Sequence, residues 1–389
     1  MSKTAWIKLS LLSDGVTATP SFTEWFTETT GFVRRRNFYN SPNWSESGTS
    51  PLPQEVRLLG DQPVTVAVND YPGARWQLTW EEGTGPAAVS EQLGVRVPVE
   101  LIRDLTAIQM DESIARVCNL YGGSALSFFS PRACYFFSDG TQCRFCSLDG
   151  TARENSSFAS RVTPAQVRAA IKGVLETDRD ALTQVMIVGG NERNLDNGFR
   201  NQVELVRAAA EELTAAGAID HVSVHLIVMP PHDLSLIDQL GEIPNLHAGF
   251  NLEVWDSDRF TEIAPGKTAD YGQATILTAL GRLRDAIGAY RAHSILIAGL
   301  EAADSTLTGA RQLAEEGISP ILNTYHSDRH SALGLTIRPT YQHLAEVAVG
   351  LQVLHDAYEI QPYWKGCGRN ALDFEARHGM FRDGPWDFS

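Results

Sequence analysis

The sequence predicts an α/β fold, a partial (β/α)6 TIM-type barrel with an N-terminal β-containing extension. From residue 163 onward, short β-branched runs alternate with amphipathic stretches, the pattern of parallel strands joined by crossover helices. With 124–137 (SALSFF to CYFF) as the first strand, six strand-helix rounds can be read, two short of a closed eightfold barrel. Residues 1–115 read differently, being rich in turns with only short strand-like runs.

In that extension EVRLL, VTVAV and ARWQLTW are β-prone runs around the turn NDYPG, and a helix is expected near 99–117. The first barrel helix is well marked: Thr163 is a cap hydroxyl, Pro164 occupies the first helical position, and Gln166 completes a capping box. Its apolar face runs through Val167, Ile171, Val174 and Leu175. Strands then fall at 182–190, 221–229, 245–255, 292–300 and 319–325. Helices fall between and after them at 201–216, 233–240, 271–287, 304–316 and 341–357, with Gly217 and Gly317 as stops. The expected organisation is an accessory region (1–115), a barrel core (116–330) and a C-terminal helix and tail (331–389) that close the barrel.

A chain of 389 residues buries a sizeable core without disulfides. Its net charge of −15 argues against a nucleic-acid surface, and the run Arg34-Arg35-Arg36 reads as a solvated corner. The start MSKTAWIKLSLLSDGVT has no signal-like apolar run, and no window has membrane-span length; the expectation is a cytoplasmic protein without a membrane partner. In a reducing compartment, five cysteines with three clustered suggest metal or redox chemistry rather than a disulfide framework.

The cluster is CYFFSDGTQCRFC, with Cys134, Cys143 and Cys146 separated by eight and then two residues. Three thiolates can hold three corners of a cubane and leave one iron open, whereas an electron-carrying [4Fe–4S] site normally uses four. The competing reading recruits Cys118 to make a four-thiolate zinc site.

Four segments in order resemble the radical S-adenosylmethionine superfamily, in particular its biotin-synthase-like branch. Cys143-Arg144-Phe145-Cys146 matches the CxxC end of the family motif, with Phe145 as the aromatic that lies against the adenine; the first gap is eight residues rather than three. Val188-Gly189-Gly190-Asn191-Glu192 resembles the Gly-Gly-Glu segment that takes the methionyl ammonium, with Asn191 intruding before Glu192. Asn251-Leu252-Glu253, followed by Ala264-Pro265-Gly266-Lys267, resembles the Asn-Leu-(Asp/Glu) strand of that branch; alternation would set Asn251 and Glu253 on one face, where a carboxylate can take both hydroxyls of a ribose. Ser294 to Glu301 resembles the adenine-contacting strand, with Ser294 and Ala298 in place of glycines.

The resemblance implies a [4Fe–4S] cluster on Cys134, Cys143 and Cys146 and S-adenosylmethionine bound by Phe145, Gly189, Gly190, Glu192, Asn251, Glu253 and Ala298. It further implies a 5′-deoxyadenosyl radical that takes hydrogen from a small molecule, and an electron donor such as flavodoxin or ferredoxin. The polar end of the sixth strand, with Tyr325, His326, Arg329 and His330, suits a small anionic or hydroxylated substrate. Cys367, flanked by glycines, reads as an accessible hydrogen donor or an inert thiol. His225 and His247 are further candidates, against the more ordinary role of core histidines. The rival readings are a hydrolase or lyase barrel with structural zinc, and an S-adenosylmethionine-binding scaffold that has lost catalysis.

Overall fold

The computed structural model describes residues 3–32, 52–71, 73–105, 112–154, 158–335 and 337–386. Arg34-Arg35-Arg36 and most of the turn-rich stretch 38–54 lie outside them.

The chain begins with α1 (Lys3–Asp14), β1 (Val16–Ala18) and α2 (Pro20–Glu28), followed by β2 (Glu55–Leu58), β3 (Val64–Ala67), β4 (Trp76–Glu81), β5 (Gly85–Ser90) and β6 (Val95–Leu101). The six strands form one sheet in the order β1-β4-β5-β6-β2-β3, antiparallel except for the β1-β4 pair. A one-turn helix, α3 (Glu112–Ala115), leads to β7 (Cys118–Tyr121) and β8 (Ala125–Phe129). After α4 (Tyr135–Ser138), α5 (Leu148–Glu154) and α6 (Pro164–Thr177) come β9 (Gln184–Val188), α7 (Leu195–Ala215), β10 (Ser223–Ile227) and a 3-10 helix over Leu234–Glu242. Next are β11 (Leu246–Gly249), α8 (Ser257–Ile263), α9 (Pro265–Asp270), α10 (Gly272–Ile287), β12 (Ala292–Ala298), α11 (Ala303–Glu315), β13 (Ser319–Thr324), α12 (Tyr341–Ala357) and α13 (Asp373–Arg377).

β8 to β13 are six parallel strands in chain order, with β7 added antiparallel beside β8. This is the partial barrel, and its strands are buried on both faces; β12 has no residue open to solvent. The helices cover the outside as their sequences direct. Thr163 and Gln166 form the capping box of α6, Asn194 caps α7 and Thr340 caps α12.

A partial barrel leaves a seam between β13 and β7, and the segment 363–372 runs through it. On one side it pairs with β13, Thr324 N donating to Asn370 O (2.8 Å) and Leu372 N to Leu322 O (3.1 Å). On the other, Trp364 stacks on Tyr121 at 4.8 Å between ring centroids. Gly122, at φ +57°, passes so close that a Cβ there would stand 2.1 Å from Cys367 O, so only glycine fits. Thr65 Oγ1 donates to Gly366 O (2.8 Å), tying the first sheet to the same segment.

Two buried ion pairs hold this arrangement. Lys8, on a helix buried nearly all round, donates to Glu375 Oε1 (2.6 Å) and to the carbonyls of Gly368 and Ala371. Arg369 Nη1 meets Glu55 Oε2 at 2.5 Å, while Glu55 Oε1 accepts from Gly122 N. Within the barrel, His225 stacks on His247 at 4.9 Å, and Tyr363 packs against both His225 and His293.

Several expectations are corrected. The helix near 99–117 is a single turn among the described residues, because 95–101 extends as β6 in register with β5 and β2. Two helices occupy 3–28, where none was expected; α1 is held by burial nearly all round, while α2 is capped by Thr19 with Pro20 in its first turn and buries only Phe22 and Phe26. The first barrel strand ends at Phe129, ahead of Pro131, and the segment through 137 turns into α4. The fourth strand stops at Gly249, so 250–255 is irregular chain.

Removing one member of a buried pair leaves the other charge stranded. Lys8→Met is expected to lower the unfolding free energy by about 3–5 kcal/mol in denaturant titrations, with most of it recovered in Lys8→Met/Glu375→Leu. Burial lowers the pKa of His225, His247 and His293, His247 to about 4 and His293 to about 3. An unfolded histidine titrates near ~6.5, so their contribution is complete above that pH and drains away as pH falls towards 4. Unfolding free energies measured from pH 8 to 4.5 should fall below about pH 6.5, less steeply in His293→Leu; equal slopes in the two proteins would contradict this.

Candidate active site

The eight-residue gap between Cys134 and Cys143 is a folded hairpin of chain. Cys134 precedes α4, the chain turns at Gly140, and Thr141 N returns to Phe136 O (2.8 Å). The loop then docks on the region after the fourth strand: Gly266 N donates to Thr141 O (3.0 Å) and Arg144 N to Ile263 O (2.8 Å). Cys146 N closes a tight turn on Cys143 O (3.0 Å). Three thiols separated unevenly in sequence thereby line one recess of about 150 Å³, together with Phe136, Phe145, Gly189, Gly190, Asn191, Asn251, Glu253 and Lys267.

All three are free thiols. Burial raises each pKa, Cys143 to about 12 and Cys146 to about 11. Cys118 is elsewhere: it lies on β7, its Sγ donating to Ile114 O, and lines a second cavity instead of the recess. Among the described residues no group of three or more His, Cys, Asp or Glu side chains is gathered to hold a single metal ion. Cys118 is thus not among the residues that line the recess with the other three thiols.

Gly189 and Gly190 line the recess, and their lack of a side chain is required by the cysteine loop itself. A Cβ on Gly189 would stand 2.3 Å from Ser130 O, and one on Gly190 would stand 2.2 Å from Ala133 O. Asn191 O accepts from Tyr135 N (3.1 Å), fixing the start of α4 beside Cys134. The expected partner of the ammonium, Glu192, points elsewhere. It is paired with Arg161 (2.7 Å) and Asn201 (2.9 Å), which hold its carboxylate below its ordinary pKa, and it lines neither the recess nor the larger cavity.

Asn251 and Glu253 both reach the recess, but not through strand alternation. Asn251 Oδ1 accepts from Ile295 N (3.2 Å), and Glu253 sits at φ +72° while its backbone bridges Ile295 and Ile297. Glu301 holds the chain just beyond by accepting from Trp255 N and Asp256 N, with Ser305 and Thr306 donating to it as well. Lys267, which the sequence reading left without a role, donates to Glu253 Oε1 (2.7 Å) and to Asn251 O (2.8 Å) while almost fully buried. Its segment, Ala264-Pro265-Gly266-Lys267, follows the Asn-Leu-Glu motif in the sequence, and its proximity to Glu253 comes from α9 folding back under the strand end. Ala298 is fully buried and lines neither cavity, and Ser294 Oγ accepts from Leu252 N (3.0 Å).

Adjoining the recess is a cavity of about 470 Å³ that shares Phe129, Phe145, Cys146, Asn251 and Glu253 with it. Part of its wall is apolar, from Met186, Val188, Ile227, Ile295 and Ile297. Tyr325 and His326 line it, with Asn323, Thr324 and Asp328. Arg329 is instead exposed, and His330 packs over Gly150. The seam segment supplies Trp364, Arg369 and Asn370, which the sequence reading did not assign. Cys367 is fully buried rather than accessible; burial pushes its thiol up to about 12, its Sγ lies 3.5 Å from Gln184 Oε1, and it does not line the cavity. No helix among the described residues is long and apolar enough to cross a membrane.

No family model matches the chain, and no curated protein matches it. Among solved structures it is similar to HydG, a maturase of the FeFe-hydrogenase, at 15% identity and TM-score 0.45, over 68% of this chain and 56% of that one. It is also similar to methylornithine synthase (PylB), at 13% identity and TM-score 0.43, over 58% and 61% of the two chains. A third is a radical SAM methyltransferase from Sphaerobacter thermophilus, at 12% identity and TM-score 0.42, over 72% and 75%. The matched region spans little more than half the length of HydG.

Gly190→Ala tests the packing of the loop. With a Cβ 2.2 Å from Ala133 O the backbone before Cys134 must move, so unfolding free energies from denaturant titrations should fall by about 1–3 kcal/mol.

Proposed function

We propose that this chain is a radical S-adenosylmethionine enzyme of the biotin-synthase-like branch, acting on a small molecule. The observation that carries the reading is the convergence of Cys134, Cys143 and Cys146, from one loop, on a recess beside the C-terminal ends of parallel barrel strands, where such folds place their chemistry. The donor set fits the implied group: three thiols, no fourth cysteine in the recess, and an adjoining cavity. When bound, a [4Fe–4S] cluster and S-adenosylmethionine together supply a 5′-deoxyadenosyl radical able to take hydrogen from an unactivated carbon.

The remaining work belongs to the chain. Cys134, Cys143 and Cys146 would hold the cluster. Gly189, Gly190 and Asn191 offer backbone to the recess, Asn251 and Glu253 offer polar atoms, and Phe145 lines both recess and cavity. The polar pair faces a barrel interior, where such groups are held by partners. The apolar wall of the cavity excludes water from the reacting region, and the seam segment with Asn323, Thr324 and Tyr325 gives a substrate its polar contacts. An electron carrier of the flavodoxin or ferredoxin type and a reducing, cytoplasmic setting complete the reading.

One observation favours the scaffold reading, namely that Glu192 is tied to Arg161 and held away from the recess. Catalysis decides between the two. Anaerobic reconstitution with iron and sulfide should yield about four irons per chain and a broad visible absorption, as expected for a cubane. Adding S-adenosylmethionine and dithionite should then produce 5′-deoxyadenosine, lost in Cys143→Ala. Binding of S-adenosylmethionine without cleavage would favour the scaffold, and a colourless protein that takes up no iron would overturn the proposal.

A further inference from the structure

The recess holds one charged group that neither the thiols nor the expected cofactor contacts explain. Lys267 is 5% exposed, on a short helix whose residues 265–267 pack under the cysteine loop through Gly266 N to Thr141 O. A buried ammonium is retained only where its charge is matched, and here Glu253 and the carbonyl of Asn251 take two of its three protons. The same recess is lined by Cys134, Cys143 and Cys146, so the buried ammonium shares one pocket with all three thiols.

We propose that Lys267 is a positioning residue for the thiol cradle, a fixed positive charge oriented by Glu253 and Asn251 that would make a cluster held there easier to reduce. This inference rests on the cluster reading above. Its physical basis is general: adding an electron adds negative charge at the site, and a fixed buried cation with little water around it stabilises that charge. Tethering to Glu253 keeps the ammonium in place while preserving the overall neutrality of the pair. Glu253 therefore has a second task besides any contact with S-adenosylmethionine, which is to aim Lys267.

The test is a redox titration of the anaerobically reconstituted protein, monitored by the electron paramagnetic resonance of the reduced cluster, without S-adenosylmethionine. Lys267→Met should lower the ratio of reduced to oxidised cluster at a fixed potential at least tenfold, equivalent to a midpoint about 59 mV more negative for one electron. Lys267→Arg should restore it to within about threefold of the wild type, since the charge is kept. Lys267→Met/Glu253→Gln, which strands no carboxylate, should fall between the wild type and the single variant. Unchanged midpoints in both methionine variants would overturn the inference and leave the cluster reading intact. Loss of iron from both would also overturn it, showing that the pair builds the site without tuning it. A wild-type protein that binds no iron would overturn both readings together.

Discussion

An open barrel must satisfy the backbone along its two free edges, and this constraint organises the molecule. β13 finds its partner in the returning segment 363–372, and the hairpin partner β7 is covered by Trp364 and by Glu55 reaching to Gly122 N. Because Lys8 donates to its Gly368 and Ala371 carbonyls and Arg369 pairs with Glu55, residues far apart in sequence close one seam. The N-terminal sheet is consequently more than an appendage. Through Glu55 and Thr65 it fixes the strand of chain that presents Trp364, Arg369 and Asn370 to the cavity.

A second constraint acts at the other end of the cavity. Thiols buried to this degree resist ionisation, and a loop with an eight-residue gap has much freedom to lose. The structure meets the second by docking the loop on three supports: the Gly189-Gly190 corner, Asn191 O, and the start of α9. The same α9 carries Lys267, so the element that positions the loop also brings a cation to its thiols.

The barrel was legible in the sequence because β-branched runs and capped amphipathic helices repeat with a clear period; Thr163 and Gln166 behave as read. Local motifs also led to one recess, since Cys134, Cys143, Cys146, Phe145, Gly189, Gly190, Asn251 and Glu253 all line it. What escaped notice was set by tertiary contacts. The partner of Glu192 is Arg161, on the preceding loop, and the burial of Cys367 follows from the seam. α1 has no polar face to mark it, because it is buried nearly all round and so lacks amphipathic periodicity. The left-handed backbone of Glu253 replaces the strand alternation expected there, while the polar pair still reaches the same place.

The central claim is that three thiols hold a cubane whose fourth iron is open, and the Mössbauer spectrum of protein reconstituted with iron-57 tests it most directly. The account predicts that adding S-adenosylmethionine changes the signal of one iron in four and leaves three alike. A spectrum that does not respond to S-adenosylmethionine, with four equivalent irons or with none, would contradict it.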